Sequence, residues 1–228
     1  MIDTELLNGL IPGVKGNYVL FATERKMMAI IGRPREFDRG AALEAAMVLF
    51  WRKGFAATSM NDLCDAMDVR SPSLYAAFGS KEALYLEAIQ HYVEIFGPPV
   101  WEGLAEGATA RAGVENLLLA ATEILPESHV TPAGCMATLA AVSDEWPAGI
   151  ADIVRKIRFE MLGMLRSRLE AGVAKGELPA TTDIEGLSRF YFSVYQGMAV
   201  QAREGAGAPE LKGVVAAAMS AWPSNGRG

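Results

Sequence analysis

The chain has 228 residues, just over half of them apolar, which is enough for one or two modest domains with real cores. Its formal net charge of −6 argues against a chain-wide polycation, and its two cysteines, Cys64 and Cys135, are far apart in sequence. That count and spacing argue against a disulfide framework or structural zinc and for a reducing cytoplasm. No apolar run reaches the ~20 residues that span a bilayer, so no membrane partner is expected.

Strand-like alternation is almost absent, and Ala, Leu, Met and Glu favour an all-α fold. Residues 1–31 carry two glycines and a proline around Ile11 and no clear periodicity. They read as a loosely structured extension rather than a signal peptide, and Met27 or Met28 is an alternative start. Asp38 is placed to cap a helix running to about Gly54, with Leu43, Ala46, Met47, Phe50 and Trp51 inward. Thr58 and Ser59 are N-cap candidates for a short helix bearing Leu63, Ala66 and Met67, with Asp62 in its first turn. Asp68 ends it. Ser71 is expected to cap the next helix with Pro72 at its first position; Leu74 and Phe78 face inward and Gly79 stops it. Ser80-Lys-Glu opens a helix over 80–96, which Gly97-Pro-Pro99 breaks.

Further on, a short helix is expected over about Val100 to Glu106, then one from Thr109 to about Leu125. An apolar helix is expected from Gly134 to Ser143, a long amphipathic one from Pro147 to Gly176, and two more over 183–204 and 210–222.

The pattern over residues 38–79, two short helices around a tight turn after a longer one, is the layout of a helix-turn-helix DNA reader. The window 32–90 holds seven basic and eight acidic residues, whereas 91–228 holds eleven and sixteen. The acidity thus lies mostly in the C-terminal part, and the basic residues of the reader sit at its edges, where a phosphate backbone runs.

Taken in order, Gly32-Arg-Pro-Arg35, the Asp38 helix, Lys53-Gly-Phe-Ala-Ala-Thr-Ser59, Ser71-Pro-Ser-Leu-Tyr75 and Phe78-Gly-Ser-Lys-Glu82 resemble the tetracycline-repressor (TetR/AcrR) family over about residues 32–90. The C-terminal part matches in helical layout, and Pro132-Ala-Gly-Cys-Met136 is similar to one subgroup. The resemblance implies a homodimeric transcriptional regulator, usually a repressor, with a helix-turn-helix domain over 32–82 and a helical effector-binding and dimerisation domain over 83–228. The implied partners are double-stranded DNA, an unknown small-molecule effector and a second copy of the chain. No cofactor or metal is expected.

The reader offers several candidate DNA contacts. Arg33 and Arg35 form a flexible arm suited to a minor groove or to phosphate. Thr58 and Ser59 lie at a helix N-terminus that suits a phosphate. Arg70, Ser71, Pro72, Ser73, Tyr75 and Ala76 belong to the recognition helix and its entry. The resemblance implies a phosphate contact for Tyr75 and for Lys81, whose charge is otherwise misplaced in the first turn of a helix. Ala76 and Ala77 stand where the family often has a polar residue, so shape and the arm carry more of the readout. The plain readings of these residues are a solvated basic tail, ordinary caps, a half-buried tyrosine and a solvated lysine.

In the C-terminal part, Cys135, Met136, Leu139, Arg158, Met161, Leu165, Phe192 and Tyr195 are candidates for an effector pocket; the plainer reading, which for any single residue takes precedence, is a core. Cys135 at a helix N-terminus reads either as a thiol sensor or as a buried inert cysteine. Leu187, Tyr191, Val194 and Met198, with Leu211, Val215, Met219 and Trp222, are candidates for a two-helix dimer face, or for the chain's own core. No catalytic order of residues is visible, and His91 and His129 have no partner motif, so an enzyme is not expected. The alternative is a helical small-ligand carrier with a vestigial reader.

Overall fold

A computed structural model describes residues 38–140 and 147–223. Ten α-helices occur among them and no strand. The expected extension over 1–31 and the arm residues Arg33 and Arg35 lie outside the described residues.

The reader comprises α1 (Arg39–Lys53), α2 (Met60–Met67) and α3 (Ser71–Phe78). Asp38 caps α1 by accepting from the Ala41 amide at 3.1 Å. Gly54, at φ 80°, ends it in a conformation that needs no Cβ. Ser59 and Asp62 form a capping box at the start of α2. Asp68 closes α2 in the left-handed region at φ 51°, which a short polar side chain tolerates. Ala46, Met47, Phe50, Phe55, Leu63, Leu74 and Phe78 are buried together, while Leu43 is half-buried and Ala66 is exposed. Ala66 therefore does not belong to the inner face of α2 that was expected to hold it; Leu63 and Met67, four apart, suffice.

The next helix, α4 (Lys81–Phe96), is capped by Ser80 and buries Leu84, Tyr85, Ala88, Ile89 and Tyr92. It packs on α1 through aromatic edges: Tyr85 on Phe50 at 5.0 Å, and Tyr92 on Trp51 at 4.8 Å. Because α4 serves both the reader and the helices beyond it, the core runs without a break from Ala42 to Met219.

The remaining helices are α5 (Pro98–Glu106), α6 (Ala110–Ile124), α7 (Met136–Leu139), α8 (Ala148–Ala174), α9 (Ile184–Arg203) and α10 (Ala208–Ser220). The central α6 buries Val114, Leu117, Leu118 and Ala121. Its approach to α5 depends on Gly113, where a Cβ would lie 2.4 Å from the Leu104 carbonyl oxygen. Of the expected apolar helix over 134–143, α7 covers Met136–Leu139, and 141–146 lie outside the described residues. Asp183 caps α9 through the Gly186 amide, and Lys212 of α10 pairs with Glu123 of α6 at 2.8 Å.

Candidate nucleic-acid interface

The face of α3 is set by two anchors. Leu74 and Phe78, one turn apart, are buried at 0% and 4% exposure. Ser71, Pro72, Ser73, Tyr75 and Ala76 are therefore turned outward, and Tyr75 is 48% exposed. Arg70 is exposed just ahead of them. One expectation is corrected by the helix start. Ser71 is the first helical residue rather than the cap; Arg70 holds the cap position with extended backbone, and no side-chain capping bond is made. The Ser71 hydroxyl is thus not spent on the helix start.

Thr58 requires a second correction. It is fully buried, and its hydroxyl donates to the Gly54 carbonyl at 2.6 Å. The turn after α1 folds this hydroxyl inward, so Thr58 shapes the N-terminus of α2 rather than facing outward. Ser59 is exposed. Its hydroxyl and amide are engaged with Asp62, whose carboxylate also receives the Lys53 ammonium at 2.9 Å. The Lys53 bond first, then the Ser59 bonds, hold the Asp62 carboxyl well below the usual carboxylate range. Lys81 is half-buried with its ammonium 4.3 Å from the centre of the Phe55 ring, and burial lowers its pKa.

Arg39, which no sequence motif singles out, ties the reader together. Its guanidinium grips both oxygens of Glu87 at 2.8 and 2.6 Å and lies 4.5 Å from the centre of the Phe78 ring. One side chain of α1 thereby fixes α3 against α4. The available signal is an arginine in the first turn of a helix, where a cation is unfavourable unless something holds it.

In the C-terminal part, Cys135, Met136, Met161, Leu165, Phe192 and Tyr195 are all buried. Cys135 lies between the hydroxyls of Tyr92 and Tyr195; burial first, then the neighbouring thiol, pushes both tyrosines well above their ordinary range. Arg158 is half-buried and donates to the Gln196 amide oxygen through Nη2 at 2.6 Å and Nε at 3.1 Å. Leu139 is half-buried. Met136 and Leu139 line a cleft of about 340 Å³ against the reader, whereas Met161, Leu165, Phe192 and Tyr195 are packed into the core.

Comparison with known proteins decides the family. Residues 42–88 match the family described as bacterial regulatory proteins, tetR family, and 112–222 match the tetracyclin repressor-like C-terminal domain. The transcriptional repressor ComR of Escherichia coli (strain K12) is 34% identical over 200 residues, covering 84% of this chain and 92% of its own. The chain belongs to the tetR family. A cysteine mutant of the TetR-family regulator CifR, solved with 26-bp double-strand operator DNA, is 40% identical. It superposes with a TM-score of 0.78 over 84% of this chain and 100% of its own. A TetR regulator from Chloroflexus aurantiacus, 23% identical with a TM-score of 0.72, shares the fold.

This TetR-family protein is therefore a helix-turn-helix DNA-binding transcription regulator with an N-terminal reader and a C-terminal helical domain. No helix among its described residues is long and apolar enough to cross a membrane.

The expected dimer face needs correction. Tyr191, Met198, Leu211, Val215 and Met219 are buried in the chain's own core, and the Tyr191 hydroxyl donates to the Ala218 carbonyl at 3.4 Å. Leu187, Val194 and Trp222 are half-buried. The apolar stripes of α9 and α10 are present as expected, but they meet each other and α6. The outward side of α9 carries Phe190, 41% exposed, beside Val194 and Gly197.

Proposed function

We propose that this regulator is a homodimeric repressor that occupies a palindromic operator and is released by a small-molecule effector. The observation that carries the reading is the outward face of α3: Ser73, Tyr75 and Ala76 exposed over the buried anchors Leu74 and Phe78. A helix so placed can enter a major groove with Arg70, Ser71 and Pro72 at its leading end. Ser73 is suited to a base edge or phosphate, Ala76 to a thymine methyl and Tyr75 to the backbone. Ser59 and Lys81 flank this face, and Arg33 and Arg35 extend the contact along the DNA. The reader spans about 32–82 and the effector and dimer functions about 83–228.

Dimerisation uses the outward side of α9 and α10, with Phe190 as its anchor and Leu187, Val194 and Trp222 at its edge. In the dimer the two copies of α3 sit in successive major grooves, their half-site centres about 34 Å apart or a multiple of it. The effector acts by preferring a state with the readers wrongly spaced, which typically is worth about 1–3 kcal/mol of coupling. α4 transmits the change because it packs on α1 through Tyr85 and Tyr92, and Tyr92 also reaches Cys135 and Met136. The protein acts in the cytoplasm as a regulator, without catalytic activity.

The test is to mix the purified chain with fragmented genomic DNA at physiological salt and sequence the retained fraction. Enrichment of a palindromic site supports the reading. A well-folded protein that enriches nothing overturns it.

A further inference from the structure

The cleft between the reader and α7 has a composition that a simple packing defect lacks. Its walls are aromatic on the reader side, with Phe50, Trp51, Phe55 and Tyr85, and aliphatic on the other, with Met136 and Leu139. Its volume of about 340 Å³ falls within the range of small-ligand sites. Two cationic side chains, Lys53 and Arg203, stand on its rim, and no carboxylate lines it among the described residues.

One polar group there is left with unspent capacity. Arg203, in the last turn of α9, donates Nη2 to the Arg52 carbonyl and Nη1 to the Ala133 carbonyl at 3.4 Å. Both acceptors are neutral, so its charge is unmatched by any carboxylate among the described residues. Lys53 differs, because Asp62 already holds it.

We infer that this cleft is a binding site for a small carboxylate with an aromatic or compact apolar body, and that Arg203 anchors its carboxylate. The apolar body fills the space between Phe55 and Met136. A carboxylate binds a guanidinium more strongly than a peptide carbonyl does. The ligand therefore competes for Arg203 with the Arg52 carbonyl, which belongs to the end of α1. Arg203 joins α9 to the reader across 151 residues of sequence. On the reading of the chain as a ligand-released repressor, an occupied cleft loosens that tie and lets the reader shift.

Binding is measured on the full chain without DNA, so its outcome is independent of whether an operator is found. Benzoate, phenylacetate and 1-naphthoate are titrated calorimetrically beside their matching neutral alcohols. At least one acid binds saturably and more tightly than its alcohol. Arg203→Gln, with an unchanged circular dichroism spectrum, weakens that acid about tenfold or more and leaves the alcohol unaffected. Leu139→Trp, which narrows the cleft and leaves Arg203 in place, weakens it about tenfold or more, and carries the test should Arg203→Gln fail to fold. The proposal is overturned if none of the three acids binds, if acid and alcohol bind alike, or if the folded variants bind the acid as the parent does.

Discussion

Tyr75 and Thr58 are both hydroxyl-bearing residues of the reader, and the sequence treats both as candidate phosphate contacts. The fold separates them. Tyr75 stands outward from α3, whereas the Thr58 hydroxyl is consumed by the Gly54 carbonyl. Tyr75→Phe should weaken operator binding about tenfold while leaving the unfolding temperature nearly unchanged, as gel-shift titration and calorimetry on the same sample will show. Thr58→Val should do the reverse, lowering stability through the lost buried hydrogen bond. Asp62 gives a pH signature. Its carboxyl is held below its ordinary value, chiefly by Lys53, so its contribution to stability is fully present above about pH 4 and fades as pH falls through the folded-state value. Thermal unfolding from pH 7 to 3 should show the gap between the parent and Asp62→Asn closing only on the acid side. A gap that instead closed above pH 5 would assign the effect to another group.

The helices themselves were largely legible, because caps and stops are local. Asp38 and Ser59 each cap the helix they were expected to cap, and Ser80, Thr109 and Asp183 cap the helices expected to start there, since each lies within one turn of the amides it satisfies. Ser71 misled because serine before proline is a good cap by composition, whereas the turn geometry places Arg70 there. The α5–α6 contact was not legible at all. It rests on Gly113 lying against the Leu104 carbonyl, a meeting between helices that no local rule reports. Gly113→Ala should therefore lower the midpoint of thermal unfolding, although alanine is the better helix former. Leu74→Ala should cost about 2–5 kcal/mol and unfold the reader, since Leu74 is fully buried beneath the face that α3 presents. Both are checked by denaturant melts.

For the whole molecule the deciding question is which apolar stripe meets which. Tyr191, Met198, Leu211 and Val215 carry the spacing of an interface, but α6 and the facing helix of the same chain take them into the core. The outer side of α9, with Phe190 exposed, is the face the proposed dimer uses. Phe190→Glu should convert the dimer to a folded monomer in sedimentation velocity and lower operator affinity; a dimer that survived it would move the interface elsewhere. The sequence by itself determined that the chain is all-α, where most helices start and stop, and that a helix-turn-helix reader lies near the N-terminus. All of that comes from caps, turn residues and 3.6-residue periodicity, which act within a few residues. Only the tertiary structure decided that Thr58 is buried, that Arg39 holds α3 to α4, that Arg203 reaches the end of α1, and which face of α9 stays outside. Periodicity shows that a helix has an apolar face; what covers that face depends on residues distant in the chain.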